Sequence, residues 1–309
     1  PCADPAAVPA HLVARAAASE VKVLLSGTGG DEVFGGYRRY QLASMLRGLA
    51  WMPRAAAARV ATWLGDRAQH RGSRTGEQLV WLRKLLEARS RHSFADAYFS
   101  MFEPAPPGRW KGVLRESVSH DELVVRLCGE MERELGRLPR SDEDFAIATD
   151  HLLYLPDDLL LKEDRTTMGA SVQGRVPYLD AALVQFAAGL PRATRFDGHG
   201  GKRVLREIAR RHLPPEVAER PKHGFSVPIE AWLRGPLDSL LGDVLASEGS
   251  GVLDRAAVRT WHDQHRKGMD RSAPLWAALS FELWWREVGS VAPSPAPTAA
   301  RPHPAPDRR

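Results

Sequence analysis

Most of the chain spaces its apolar positions three to four residues apart, which predicts helices. The segments with this spacing are residues 75–89, 121–135, 142–168 with an interruption around Pro156, 181–189, 201–211, 254–267 and 272–288. Strand signals are few, because only the apolar run 21–25 is clear and the run 193–196 is weak. The pattern therefore predicts many helices around very little sheet.

The most informative stretch follows the apolar run 21–25. Residues 26–32 read Ser-Gly-Thr-Gly-Gly-Asp-Glu, a glycine-rich loop that leads into an acidic helix start. Glycines let backbone N–H groups approach an anion, and a helix N-terminus adds favourable electrostatics, so this order favours a phosphate site. Asp31 would repel a phosphate and is better suited to bind the Mg²⁺ that accompanies a nucleotide. The loop matches neither G-x-G-x-x-G nor G-x-x-x-x-G-K-S/T, so this pattern alone also allows a plain strand–turn–helix.

Composition and charge exclude several classes of function. Hydrophobic residues make up 43% of the 309 residues and charged residues 26%, which is typical of soluble globular proteins. No apolar run approaches the ~20 residues of a membrane helix, and the sequence shows no signal-peptide pattern. The net charge of +5 is dispersed, without a basic face interleaved with aromatic residues, which argues against nucleic-acid binding.

Cysteine and histidine spacing argues against a zinc site or a disulfide framework. Cys2 and Cys128 lie far apart and form no CxxC pair, so a reducing, cytoplasmic setting is the default expectation. His262 and His265 stand three residues apart, and we interpret them as part of a solvent-exposed helix face. Residues 289–309 are rich in Pro and Ala without periodic apolar positions and are predicted to be a disordered tail.

Three blocks of sequence, in order along the chain, resemble one known family. They are residues 21–40, VKVLLSGTGGDEVFGGYRRY; residues 154–180, YLPDDLLLKEDRTTMGASVQGRVPYLD; and residues 220–235, RPKHGFSVPIEAWLRG. They resemble the ATP-dependent synthetase domain of the asparagine synthase family, from residue 1 to about residue 287. The resemblance implies an α/β fold, an incomplete parallel-sheet PP-loop ATPase (adenine nucleotide α-hydrolase-like) that is mainly helical here. Residues 1–288 would form a partial synthetase domain.

The resemblance also implies a reaction and its ligands. An ATP- and Mg²⁺-dependent ligase would activate a carboxylate, aspartate, as an acyl-adenylate, and ammonia derived from glutamine would then give asparagine, AMP and pyrophosphate. Ser26, Gly27 and Gly29 would contact the nucleotide, and Asp31 would bind Mg²⁺. Simpler roles remain open, because Ser26 can be a turn serine and Asp31 a helix cap. A glutaminase domain is expected upstream in the full-length protein, and a homodimer is one assembly that the resemblance allows.

Lys222 is the candidate that the resemblance places at the reaction centre. It lies in the Pro- and Gly-bounded segment 220–228 and is one of 7 lysines in a chain with 36 arginines. A lysine ammonium can neutralise the α-phosphate as pyrophosphate leaves. The alternative role is that of a solvent-exposed surface lysine.

The chain departs from the family pattern at Thr28, at Gln173, which replaces a glutamate that is usual there, and in one missing loop. Thr28 stands where asparagine-forming members carry an acidic residue that accepts a proton from the attacking nitrogen, and a hydroxyl is no base near neutral pH. The family's SGGxDS pyrophosphate loop has no counterpart in the sequence, so we expect the isolated chain to form no AMP from ATP. The alternatives are a specialised amide or lactam synthetase, of the β-lactam synthetase or lasso-peptide cyclase type, and a non-catalytic scaffold. Because the first strands of such a sheet are lacking, exposed apolar side chains are expected beside residues 21–25.

Overall fold

A computed structural model describes residues 3–67, 74–102, 112–114, 119–191, 194, 201–220 and 227–289 of the chain. In chain order the helices and strands are α1 Ala7–Ala17, β1 Val23–Leu25, α2 Gly30–Phe34, α3 Leu42–Gly48, α4 Arg54–Arg67, α5 Arg74–Ser90, α6 Phe94–Ser100, α7 His120–Leu135, α8 Asp142–Thr149, α9 Leu161–Met168, β2 Gln173–Arg175, α10 Ala181–Ala188, α11 Arg203–His212, α12 Pro215–Ala218, α13 Ile229–Arg234, α14 Asp238–Ala246, α15 Arg255–Arg266 and α16 Ser272–Trp284. The helices α5, α7, α10, α11, α15 and α16 confirm those predicted from the apolar spacing.

Serine caps fix the starts of two helices in the middle of the chain. The Ser119 hydroxyl accepts the backbone N–H of Glu122 (3.1 Å), and the Glu122 carboxylate accepts the backbone N–H of Ser119 (2.8 Å) at the start of α7. At the start of α8 the Ser141 hydroxyl accepts the backbone N–H of Asp144 (3.1 Å). Each cap satisfies backbone donors that a helix leaves unpaired, and such caps contribute about 1 kcal/mol each.

The helix predicted over residues 142–168 is present, but the expected interruption at Pro156 is not a break. Helix α8 continues through wide π-helical turns, Asp150–Leu160, directly into α9. Proline lacks a backbone N–H, and its ring crowds the carbonyl of the preceding turn in a regular α-helix. The wider turns accommodate Pro156, so the three segments form one continuous helical run that reaches the small sheet.

The sheet consists of two short parallel strands within the described part of the chain. The pairs in register are Val23 with Gln173, Leu24 with Gly174, and Leu25 with Arg175. Strand β2 was not predicted, because its three residues carry no apolar pattern, and the weak run 193–196 lies outside the described residues except for Thr194. The expected exposure of apolar side chains is confirmed, since Val23 is 48% and Leu25 76% exposed. The architecture is thus a mainly helical α/β fold with a small parallel sheet, while the PP-loop ATPase assignment stays a prediction.

Apolar side chains pack in four clusters around this sheet. One joins α13 to α16, a second joins the segment after α2 to α3, α6, α7 and α8, a third joins α4 to α5, and the fourth joins α2 to α10. The fourth cluster contains Val33, Phe34 and Ala187, so it fixes the short helix α2 against α10. Among the described residues, no helix is long and apolar enough to cross a membrane.

The interpretation of His262 and His265 as solvent-exposed is wrong. Both are buried, at 5% and 0% exposure, on the face of α15 that packs into the carboxy-terminal cluster. His262 Nε2 lies 2.7 Å from an Asp238 carboxylate oxygen, and His265 Nδ1 accepts the backbone N–H of Arg271 (3.1 Å). The spacing i, i+3 does not reveal which face of a helix is buried. Here both imidazoles have hydrogen-bond partners within the fold, which offsets the cost of burying them.

A buried ion pair links the segment after α2 to the π-helical turns. Asp150 is fully buried and accepts hydrogen bonds from Arg39 Nη2 (2.8 Å), Arg39 Nε (3.1 Å) and the Tyr98 hydroxyl (2.9 Å). The Arg39 guanidinium lies over the rings of Tyr37 at 3.8 Å and Tyr154 at 4.5 Å. Burial, and next the Asp150 charge, raise the pKa of Tyr98 well above its usual value, so its hydroxyl stays protonated and donates.

Replacing Asp150 by alanine is expected to lower the free energy of unfolding by about 3–5 kcal/mol, because it leaves the Arg39 charge buried without its partner. The measurement is urea unfolding followed by circular dichroism. The control is Glu130→Ala, which breaks the exposed i, i+4 pair with Arg126 on α7 and should change stability by less than about 0.5 kcal/mol. A loss below about 1 kcal/mol for Asp150→Ala would contradict this role.

Candidate functional site

The glycine-rich loop connects β1 to α2 and contacts the last residue of β2 and the segment that follows β2. The Ser26 backbone N–H donates to the Arg175 carbonyl (2.8 Å), which extends the parallel pairing by one bond. Gly29 precedes α2 at a φ of +91°, and a Cβ built on it would lie 2.4 Å from Leu179 Cδ2. Position 29 therefore requires glycine for both its backbone conformation and its contact.

The loop is open to solvent at Gly27. A Cβ built on Gly27 meets no atom within 4 Å, and the residue is exposed. The backbone N–H groups of Gly27 and Gly29 make no hydrogen bond within the described part of the chain. An unpaired N–H group beside open space is the feature that phosphate oxygens bind, so Gly27 fits the predicted nucleotide contact. Gly29 is buried, and both donors of Ser26 bond within the protein, to the Arg175 carbonyl and to Glu163. The nucleotide contacts of Ser26 and Gly29 stay predictions.

Asp31 lies in the first turn of α2 and forms an ion pair with Lys202. Its Oδ2 atom is 2.9 Å from the Lys202 ammonium, and a Cβ built on Gly36 would lie 1.9 Å from its Oδ1 atom. The residue that caps α2 is Gly29, and no side chain makes a cap hydrogen bond there. The helix-cap alternative for Asp31 is therefore not what the structure shows. The magnesium role stays a prediction.

Lys202 was missed by the sequence analysis, although it faces the predicted metal ligand. Its backbone N–H donates to the Phe34 carbonyl (3.0 Å), and its φ is +55°. The preceding Gly201 packs so closely that an added Cβ would lie 1.7 Å from the Gly35 carbonyl oxygen. The backbone thus fixes this lysine against the end of α2, where its ammonium can pair with Asp31 or with a phosphate. Its rarity in an arginine-rich chain was the available signal.

Hydrogen bonds connect the side chains of the loop to a glutamate on α9. Glu163, on the first turn of α9, accepts a hydrogen bond from the Ser26 hydroxyl at 2.9 Å (Oε2). Ser26 Oγ lies 2.9 Å from Thr28 Oγ1 and also accepts the Thr28 backbone N–H (3.1 Å). The other carboxylate oxygen of Glu163, Oε1, is buried without a hydrogen-bond partner, and a Cβ built on Gly174 would lie 3.1 Å from it. No sequence pattern marked Glu163, because a single acidic residue in a helix has no diagnostic spacing.

Glu32 supports the fold of the loop region and does not face the open side. It is buried, and its carboxylate accepts a short hydrogen bond from the Tyr37 hydroxyl (2.6 Å). Burial, and next the Glu32 charge, raise the pKa of Tyr37 far above its usual value, so this hydroxyl remains a donor. Glu32 therefore holds the turn after α2.

The predicted residues Ser26, Gly27, Thr28, Gly29 and Asp31 lie together in this one loop and helix start. Lys222 lies outside the described residues. No group of three or more His, Cys, Asp or Glu side chains suited to hold a metal occurs among the residues that the structure describes. A single carboxylate, that of Asp31, fits Mg²⁺, which is commonly held by one or two carboxylates together with substrate phosphates and waters.

A cleft of about 1040 Å³ lies between the segment that follows α2 and the start of α13. Its rim includes Tyr37, which is bonded to Glu32, and it also includes Val227 and Pro228, the last two residues of the segment 220–228 that contains Lys222. Its other lining residues are Pro5, Arg38, Arg39, Val80, Trp81, Lys84, Met101, Phe102, Ile229, Glu230, Ala231, Arg234 and Ser272. The cleft is therefore bordered by the segment that follows α2 and by the end of the segment that contains Lys222, and its lining includes four basic and three aromatic side chains.

Comparison with known proteins gives one family. The family model described as Asparagine synthase matches residues 1–286. A Mycobacterium bovis protein, provisionally named asparagine synthetase (glutamine-hydrolyzing), is 34% identical over 297 residues, which cover 92% of this chain and 42% of that protein. Asparagine synthetase (glutamine-hydrolyzing) 1 of Bacillus subtilis is 28% identical over 289 residues, 92% of this chain and 43% of the relative. The chain thus spans less than half the length of these relatives. No solved structure matches it.

Proposed function

The chain belongs to the asparagine synthase family, and from this membership we propose that it is the synthetase part of an ATP-dependent amide-forming ligase. The observation that carries the proposal is the open loop between β1 and α2. It presents the unpaired backbone N–H group of the exposed Gly27, four residues before Asp31 in the first turn of α2. This combination suits a nucleotide triphosphate with its metal ion.

In the first step of the proposed reaction, a carboxylate oxygen of the substrate attacks the α-phosphorus of ATP. The new O–P bond forms as the bond to the pyrophosphate oxygen breaks, which leaves an acyl-adenylate. In the second step an amine attacks the acyl carbon, the bond to AMP breaks, and one nitrogen proton is lost. Aspartate as the carboxylate and ammonia derived from glutamine as the amine would give asparagine, in keeping with the names of the relatives.

Each candidate residue has a role in this scheme. Gly27 would donate its N–H to the phosphates, Ser26 and Gly29 would shape the loop on either side of it, and Asp31 would hold Mg²⁺, which when bound neutralises charge on the phosphate oxygens. The Lys202 ammonium lies 2.9 Å from Asp31, so it would bind the same phosphates as the Mg²⁺ that Asp31 holds. Lys222 would stabilise the charge that develops on the α-phosphate in both steps. A glutaminase domain in the natural protein would deliver the ammonia.

Product analysis tests this proposal. The natural protein that contains this chain is incubated with Mg-ATP, aspartate and ammonium chloride. The proposal predicts AMP, pyrophosphate and asparagine in equal amounts. Formation of ADP and phosphate instead would assign a different ATP chemistry, and no nucleotide turnover with any carboxylate would favour the non-catalytic scaffold.

The cleft supports a second candidate, a specialised amide synthetase that acts on a larger carboxylate. Its volume of about 1040 Å³ is at the upper end of the roughly 300–1,000 Å³ typical of sites for drug-sized ligands. The Arg38 guanidinium lies 4.6 Å from the Trp81 ring centre and forms no ion pair within the described part of the chain. These features suit an anionic substrate with apolar parts, much larger than aspartate.

A larger anionic carboxylate, such as an N-acylated acidic dipeptide, is expected to support turnover at a KM about tenfold below that for aspartate if this second candidate is correct. Arg38→Glu should abolish that preference, since a charge reversal replaces attraction by repulsion worth about 1.4 kcal/mol or more. The measurement is AMP formation across a panel of carboxylates. A preference for aspartate, or no response to Arg38→Glu, would exclude this candidate.

A further inference from the structure

Position 28 lacks the carboxylate expected of a base, yet a carboxylate lies two hydrogen bonds away from its hydroxyl. Glu163 reaches the loop from α9, an element distant in sequence, and bonds to the Ser26 hydroxyl at 2.9 Å. Ser26 Oγ is in turn 2.9 Å from Thr28 Oγ1. The three side chains therefore form one continuous chain of hydrogen bonds that ends at a carboxylate.

The proton count of this chain fixes the direction of each bond. An ionised carboxylate only accepts, so the single proton of the Ser26 hydroxyl is donated to Glu163. Ser26 has no second proton, and the bond between the two hydroxyls must be donated by Thr28. The Thr28 oxygen consequently keeps its acceptor lone pairs for a group outside the chain, and Thr28 is partly exposed beside the open side of the loop.

Glu163 has no structural ion pair that would explain it otherwise. No basic side chain lies within ion-pair distance among the described residues, and its Oε1 atom is buried without a partner. The neighbouring Lys162 bonds to Asp4 instead. An acid that is partly buried with one unpaired oxygen costs stability, so a role in function accounts for its presence better than a role in folding.

We propose that Glu163, acting through Ser26 and Thr28, accepts the proton that the attacking amine loses in the second step. A nitrogen proton passes to Thr28 Oγ1, the Thr28 proton passes to Ser26 Oγ, and the Ser26 proton passes to Glu163 Oε2. One proton leaves the amine and one arrives on the carboxylate, while both hydroxyls end as they began. Glu163 returns the proton to water after AMP and the amide leave. This relay rests on the proposed function, because it serves its second step only.

The test separates the two steps of the reaction in the natural protein. Exchange of labelled pyrophosphate into ATP, with Mg²⁺ and a carboxylate but no amine, measures the first step alone. Amide formation with ammonium chloride measures both steps. The carboxylate is the one that gives the fastest wild-type exchange in a panel of aspartate, glutamate and N-acylated acidic dipeptides.

Glu163→Gln is the decisive variant, since the amide keeps an oxygen for the Ser26 hydroxyl but cannot take up the proton. Its exchange rate should stay within about threefold of wild type, while amide formation falls about 100-fold, the lower range for removal of a general base. Glu134→Gln, an exposed acid at the end of α7, is the matched control and should change neither rate.

Two further variants distinguish a relay from a structural contact. Thr28→Val removes the hydroxyl with little change of shape, and it should reproduce the effect of Glu163→Gln without adding to it in the double variant. Thr28→Glu in the Glu163→Gln background should restore amide formation, because it places a carboxylate at the position that faces the amine.

The outcomes that count against the relay are distinct. Equal losses in exchange and amide formation for Glu163→Gln would make the residue a support for the nucleotide loop. Unchanged amide formation in that variant, or wild-type exchange without any ammonia-dependent amide, would overturn the relay alone. Absence of exchange with every carboxylate in the panel would overturn the proposed ligase and the relay together.

Discussion

Replacing Asp31 by alanine is expected to lower the rate of pyrophosphate release about 1000-fold. Asp31 lies in the first turn of α2, directly after the glycine-rich loop, and metal neutralisation of phosphate charge contributes several kcal/mol to such reactions, where each 1.36 kcal/mol is a factor of ten. The measurement is the rate of pyrophosphate release at increasing Mg²⁺ concentration in the natural protein.

A shift of the Mg²⁺ dependence distinguishes metal binding from the ion pair with Lys202. If Asp31 holds the metal, Asp31→Asn should need at least about tenfold more Mg²⁺ for half of its maximal rate, a shift of roughly 1.4 kcal/mol. Lys202→Ala should lower the rate without that shift. Asp263→Ala, at an exposed position of α15, serves as the control for a lost surface carboxylate. Identical Mg²⁺ curves for wild type and Asp31→Asn would remove Asp31 from the metal site.

The second large effect is expected at Lys222, where alanine should lower the exchange of pyrophosphate into ATP by about 100- to 1000-fold. That is the loss typical of removing one group that stabilises developing negative charge. Arginine should not restore the rate, because a planar guanidinium cannot replace a compact ammonium at a single oxygen. Lys267→Ala, an exposed lysine at the end of α15, is the matched control. Wild-type exchange in Lys222→Ala, with its fold intact by circular dichroism, would make Lys222 a surface lysine.

The helices were predictable because their evidence is local. Apolar spacing and serine caps act within a few residues, and α5 and α7 begin and end within about one residue of the predicted bounds. The exception is Pro156. The sequence shows that proline lacks a backbone N–H, but it does not predict the wide π-helical turns that accommodate the residue. Propensity alone does not decide between a break and a bulge in a helix.

The loop was predictable for the same reason, since strand, glycines and acid follow one another within a dozen residues. What surrounds the loop was not predictable. Lys202 and Glu163 reach it from 171 and 137 positions away along the chain, as the Asp31 and Ser26 contacts show. Such contacts depend on how α9 and α11 dock on the sheet, which no local pattern encodes. The short strand β2, with three residues and no apolar alternation, shows the same limit.

The departure at Thr28 also takes on a different meaning with the structure. From sequence, threonine in place of an acid suggested a missing base and so a changed or lost activity. The hydrogen bonds through Ser26 to Glu163 show that a carboxylate is still connected to this position. A residue lost from one element can thus be matched by one from another element, which a comparison of single positions does not reveal.

The central claim is that the chain activates a carboxylate by transfer of AMP, and exchange of labelled pyrophosphate into ATP in the absence of any amine tests it most directly. We predict exchange that requires both Mg²⁺ and a carboxylate, that is lost in Asp31→Ala and Lys222→Ala, and that persists in Glu163→Gln. Exchange that does not depend on a carboxylate, or no exchange with any member of the panel, would contradict the account.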